Sequence, residues 1–195
     1  MIPDASEVLT WEKIIQKTSD TSECRFSEAQ LYENFVRLSA VKQMIALAKT
    51  ELEIKHDRQL ALRLISLTRC HEELSADLAR QLGFYPGAEL KLDHTFLPIR
   101  PPHYDLPPIG QMEQLALRCN AGKKNALTNP EIIGQLRKTH SGLICAQEKF
   151  SLLCNEPVTT MGKLDRIQAA AELLICEKRL CQLLGLPEIR YTSNR

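Results

Sequence analysis

The side chains best suited to acid–base work lie in two short runs, Asp93-His94 and His103-Tyr104-Asp105. An imidazole beside a carboxylate can carry a proton near neutral pH. A small hydrolase or metal protein built on His94, His103 and the nearby aspartates is therefore one function open to this chain. The sequence supplies no partner chemistry for them. It has no Gly-x-Ser-x-Gly turn and no context that would activate a cysteine. Seven cysteines, at 24, 70, 119, 145, 154, 176 and 181, include no Cys-x-x-Cys, and there is no His-x-x-x-His. Cys176 and Cys181 are turned about 140° apart on a helix, and the adjacent Cys70 and His71 cannot share one face. The eight glycines are dispersed, so no phosphate-cradling loop forms. His140 falls on the seam of its helix and reads as a partly buried histidine rather than a base. The residues predict no catalytic, cofactor-binding or metal site.

What must position any surface is helix. From Phe26 to Gly83 the chain has no proline and no glycine before Gly83, and Ser27-Glu28-Ala29-Gln30 is a capping box. Leu38, Val41, Ile45, Ala48 and Leu52 alternate three and four apart, and after a polar patch from Glu53 to Gln59 the spacing resumes at Leu60, Leu64, Leu67, Leu74, Leu78 and Leu82. The patch contains no Gly, Pro or Asn, which favours one long, gently broken helix over a hairpin, although both remain open for residues 26–84. Gly83 and Pro86 end it.

Before this stretch, residues 4–17 predict a short helix capped by Asp4 or Ser6, with Trp11 as a packing anchor. After it, residues 85–108 hold six prolines and predict an extended strap pegged by Phe84, Tyr85, Phe96, Leu97 and Tyr104. Within that region Ala88 to Asp93 alternates apolar and polar, as a short strand does. Residues 109–195 predict a helix over 109–119, a second opened by an Asn129 cap with Pro130 behind it, and a third capped by Thr159 or Thr160. Its seam is Leu164, Ile167, Ala171, Leu174 and Cys181. The fold expected is all-α, a single domain of four to five helices in an elongated hairpin or bundle with a proline-rich extended linker.

Charge is nearly balanced, 25 basic against 24 acidic residues for a net +1. No long-range field is available to hold a phosphate backbone, so nucleic acid is not expected as a partner. Met-Ile-Pro-Asp-Ala-Ser-Glu lacks the basic and apolar blocks of an export leader. The longest apolar run, Ala169 to Cys176, contains Glu172 and is far shorter than the roughly 20 residues a membrane span needs. Scattered, odd-numbered cysteines predict reduced thiols, mostly buried. A cytoplasmic location follows, with membrane association only indirect.

Surface for partners remains. Tyr32, Val36, Met44, Leu47, Leu62 and Ile65 lie off the main apolar stripe, making the hydrophobic face wider than one neighbour needs. They are the candidate partner-binding residues, for another protein or a second copy through helix faces.

Leu82-Gly83-Phe84-Tyr85-Pro86-Gly87-Ala88-Glu89-Leu90, then Leu106-Pro107-Pro108-Ile109, Leu115-Ala116-Leu117 and Asn129-Pro130-Glu131 follow one another in an order that resembles the outer-membrane efflux duct family (TolC-like proteins). Leu164-Asp165 leading to Leu184-Gly185-Leu186-Pro187 is similar to that family's helix ends. The resemblance implies long helical hairpins joined by a proline-bearing linker, in a secretion or transport assembly. The family's alternating barrel-strand blocks are not found here, so a relative that keeps helices without the pore is implied. The function expected from the residues is a non-catalytic helical interaction or scaffold protein, with a duct relative and a linker-based hydrolase as alternatives.

Overall fold

The structure, a computed structural model, describes residues 8–19, 27–85, 87–93, 104–121 and 128–187. Six helices and two short strands occur among them: β1 (Val8–Leu9), α1 (Trp11–Ser19), α2 (Glu28–Ile54), α3 (Arg58–Gln81), β2 (Lys91–Leu92), α4 (Ile109–Asn120), α5 (Asn129–Asn155) and α6 (Thr160–Leu184). The protein is all-α, as the periodicity predicts. Its residues group into two compact units, one of residues 1–97 with 156–171 and the other of 98–155 with 172–195.

In the first unit the long apolar stretch is a hairpin, not the continuous rod that the lack of turn residues favoured. α2 ends at Ile54, Lys55 is extended (φ −132°, ψ 126°), and Asp57 caps α3 with φ −100° and ψ 114°. The Asp57 carboxylate accepts from the backbone N–H groups of Gln59 and Leu60 at 2.8 and 3.2 Å. An aspartate N-cap is as strong a start signal as glycine is a stop, and here it makes the reversal cheap. The larger reason is burial. Folding back sets Leu38, Val41 and Ala48 of α2 in one core with Leu60, Leu67 and Leu78 of α3, and each leucine or valine so buried contributes about 1.5–3 kcal/mol. At the other end of the hairpin Asn34 Nδ2 donates to Gln81 Oε1 at 3.0 Å.

The Ser27–Gln30 capping box is present in full. α1 starts later than residue 4. Val8 and Leu9 instead form a parallel two-residue ladder with Lys91 and Leu92, and Asp93 N–H donates to Leu9 O at 3.0 Å. Thr10 then opens the helix, its Oγ1 accepting from Lys13 N–H at 3.4 Å; Asp4 and Ser6 lie outside the described residues. Trp11 packs edge-on against Tyr32 with centroids 4.9 Å apart and lies 6.0 Å from Phe35, the anchoring role expected of it. The alternation from Ala88 to Asp93 also holds, with Ala88 and Leu90 buried and Glu89, Lys91 and Asp93 exposed. Of the pegs, Phe84 is buried but Tyr85 is 65% exposed, a correction. Phe96 and Leu97 lie outside the described residues. The first part of α6 completes this unit with Leu164, Ile167 and Ala169 to Ala171 buried.

The second unit holds α4, α5 and the rest of α6. Its core contains Met112, Ala116, Ile132, Leu136, Leu143, Ala146 and Phe150, with Leu173, Ile175, Leu180, Cys181 and Leu184 from α6. α5 is capped one residue earlier than expected. Thr128, not Asn129, stands at the cap, its N–H and Oγ1 each donating to Glu131 Oε2 at 2.8 Å. Those two bonds, the backbone one foremost, hold the Glu131 carboxyl below its ordinary value. Thr159 caps α6 through Gly162 N–H at 3.0 Å. The seam predicted for α6 is too narrow. Ala169, Ala170, Leu173, Ile175 and Leu180 are buried beside it, which is the pattern of a helix enclosed on several sides.

Candidate functional site

Two features of the first unit could act on something else: a half-buried polar cluster and an exposed apolar face. The cluster forms where the strap crosses the hairpin. Lys42, on α2, donates its ammonium to the carbonyl oxygen of Leu90. His71, on α3, is half-buried beside it. Burial pushes the His71 imidazole below its ordinary value; the Lys42 charge pushes the same way, while Glu72 and Glu89 oppose it. Lys42 is lowered too, by burial first, against the attraction of Glu89. Each cation is disfavoured because water that would solvate it is displaced. The arrangement is a tie between helix and strap. Lys42 is committed to a backbone acceptor, and His71 is neutral at pH 7 and able to charge on acidification.

Sequence reasoning passed over this pair. The signal was available once the turn is placed at His56: Lys42 lies fourteen residues before it and His71 fifteen after, so the hairpin brings them level. Missing the Asp57 cap meant missing the juxtaposition.

The six predicted partner-binding residues separate by burial. Val36 is fully buried and Met44 is 3% exposed; both are core, so neither is a contact residue, because the hairpin and its neighbours cover α2 around most of its girth. Tyr32 is half-buried on Trp11, and Leu47 is half-buried as well. Leu62 and Ile65 alone of the set face solvent, at 60% and 68% exposure. Ile54, which the sequence reading did not single out, is exposed beside the hairpin turn.

Of the linker residues offered for acid–base chemistry, His94 and His103 lie outside the described residues. Asp93 and Asp105 are exposed. Among the described residues no three His, Cys, Asp or Glu side chains are grouped to hold a metal ion, and no helix is long and apolar enough to cross a membrane. The six described cysteines are thiols, but only Cys181 is buried; Cys145 is exposed and the other four are half-buried. That corrects the expectation of mostly buried cysteines.

Compared with family models, curated proteins and solved structures, the chain matches none. The duct resemblance therefore rests on its short motifs. Several of those motifs are helix ends here: Leu82-Gly83 closes α3 and Leu184-Gly185 closes α6, with Gly83 at φ 76° and Gly185 at φ 66°. Phe84 N–H reaches Ala79 O at 2.8 Å and Leu186 N–H reaches Cys181 O at 2.9 Å. This is the left-handed glycine stop that many helices share.

Proposed function

We propose that this chain is a non-catalytic helical interaction protein, a scaffold or adaptor, and that the solvent side of α3 is its contact surface. The observation that carries the reading is the exposure of Leu62 and Ile65, three residues apart and so on one side of the helix. The two side chains adjoin on the solvent side of α3, whereas the helix buries a separate leucine face, Leu60, Leu67 and Leu78, in the hairpin. The duct resemblance adds a setting to this reading, a secretion or transport assembly, without changing the surface.

Affinity capture from native cells tests it, using the intact chain and a Leu62→Asp/Ile65→Asp double variant as baits. Partners captured by the first and lost by the second support the reading. Identical captures from both overturn it.

A further inference from the structure

We propose that the outer face of α3 is a self-recognition surface, on which a second copy of this chain docks antiparallel about a two-fold axis. The proposal deepens the interaction reading above, rests on it, and names the partner. Arg58, Leu62, Ile65, Arg69 and Glu73 are all exposed and recur at steps of three and four, so they share one face. Charge along that face is split. Arg58 stands in the first turn and Arg69 at the middle, Glu72, Glu73 and Asp77 follow, and Arg80 stands in the last turn.

The helix's own macrodipole, which favours acids at the start and cations at the end, acts over the terminal turns alone and does not call for Arg58 at the start. No acid stands in the first turn of α3, although Asp57 caps it and Arg80, paired with Asp77, stands in the last turn. The Arg69–Glu73 pair, at 3.2 Å, has the less favourable of the two i,i+4 orders. The pattern thus gives the isolated helix little.

An antiparallel copy converts it to attraction. Arg58 lies seven residues before Ile65, and Glu73 seven after Ser66. A two-fold axis between Ile65 and Ser66 therefore sets Arg58 of each copy opposite Glu73 of the other, twice over in an isologous contact. Leu62 lies three residues before Ile65 and Arg69 three after Ser66, so each leucine meets the aliphatic stem of an arginine whose head is held by its own Glu73. The two copies of Ile65 flank the axis. Arg58 makes no ion pair among the described residues, so its charge is available.

Size-exclusion chromatography with light scattering on the purified full chain, across a concentration series at low and high salt, tests this. The expected result is a dimer at high concentration that dissociates on dilution and with salt. Arg58→Glu and Glu73→Arg should each give monomers, and the combined R58E/E73R should restore the dimer. Arg58→Glu places an acid in the first turn of α3, which favours the helix, so a monomer from that variant is not an unfolding artefact; melting curves verify this. A wild type that stays monomeric overturns the proposal, and so does a dimer indifferent to either reversal or not restored by the combination. A monomeric wild type whose cellular captures depend on Leu62 and Ile65 removes self-docking and leaves the interaction reading standing. Monomers with captures indifferent to those residues remove both.

Discussion

Lys42 donates its ammonium to the carbonyl oxygen of Leu90, 48 residues further along the chain. This bond ties the segment that carries β2 to the middle of the hairpin, and it places a cation beside His71. The tie has consequences for stability that can be measured.

Acidification should weaken the fold through His71. Its folded-state value is depressed by burial and by Lys42, against Glu72 and Glu89. The unfolded chain therefore takes up the proton first. The contribution of neutral His71 is fully present above about pH 6.5, the ordinary imidazole value, and is lost as pH falls through the depressed value. Urea denaturation from pH 7.5 down to 5 should show this slope, and His71→Gln should flatten it. Lys42→Met should move the His71 titration upward in an NMR pH series, because the neighbouring cation is gone. An unchanged titration would mean the two groups do not interact.

Two glycines in the same backbone conformation should respond differently to alanine. At Gly83 an added Cβ meets nothing within 4 Å, so only the left-handed conformation is penalised, about 1–2 kcal/mol. At Gly185 the same Cβ would sit 2.6 Å from Cys119 Sγ and 3.3 Å from its Cβ. Cys119 is held there by its contact with Leu184 O at 3.1 Å. Gly185→Ala should thus lower the denaturation midpoint clearly more than Gly83→Ala, and adding Cys119→Ala should recover part of the difference.

Removing the cap at the hairpin turn should loosen its tip. Asp57→Ala leaves the N–H groups of Gln59 and Leu60 without their carboxylate acceptor, at a cost of about 0.5–2 kcal/mol. Amide exchange should quicken at Gln59 and Leu60 before it does in the middle of α3. Protection unchanged at both amides would count against the cap.

Val36 and Leu62, treated alike by the sequence reading, should part company on substitution. Val36→Asp buries an unpaired carboxylate in the core and should abolish cooperative unfolding. Leu62→Asp replaces a side chain that is 60% exposed, and its effect on stability should stay within about 0.5 kcal/mol. Circular dichroism melts of the two variants make the comparison directly.

What the sequence alone determined was local. Capping residues such as Ser27, the stops at Gly83 and Gly185, and the alternation from Ala88 to Asp93 act over one or two turns, so their outcome is written in neighbouring residues. The fate of the long apolar stretch was not settled in this way. Asp57 permits a reversal, but the reversal happens because two leucine faces far apart in the chain exclude water together. For the same reason sequence placed Val36 and Met44 with Leu62 and Ile65: periodicity says which residues share a side, not which side finds cover. Only the tertiary structure decided that the first two are core and the last two face solvent. It also brought Lys42, His71 and Leu90 together, because burial and charge proximity depend on contacts between segments that no short spacing encodes.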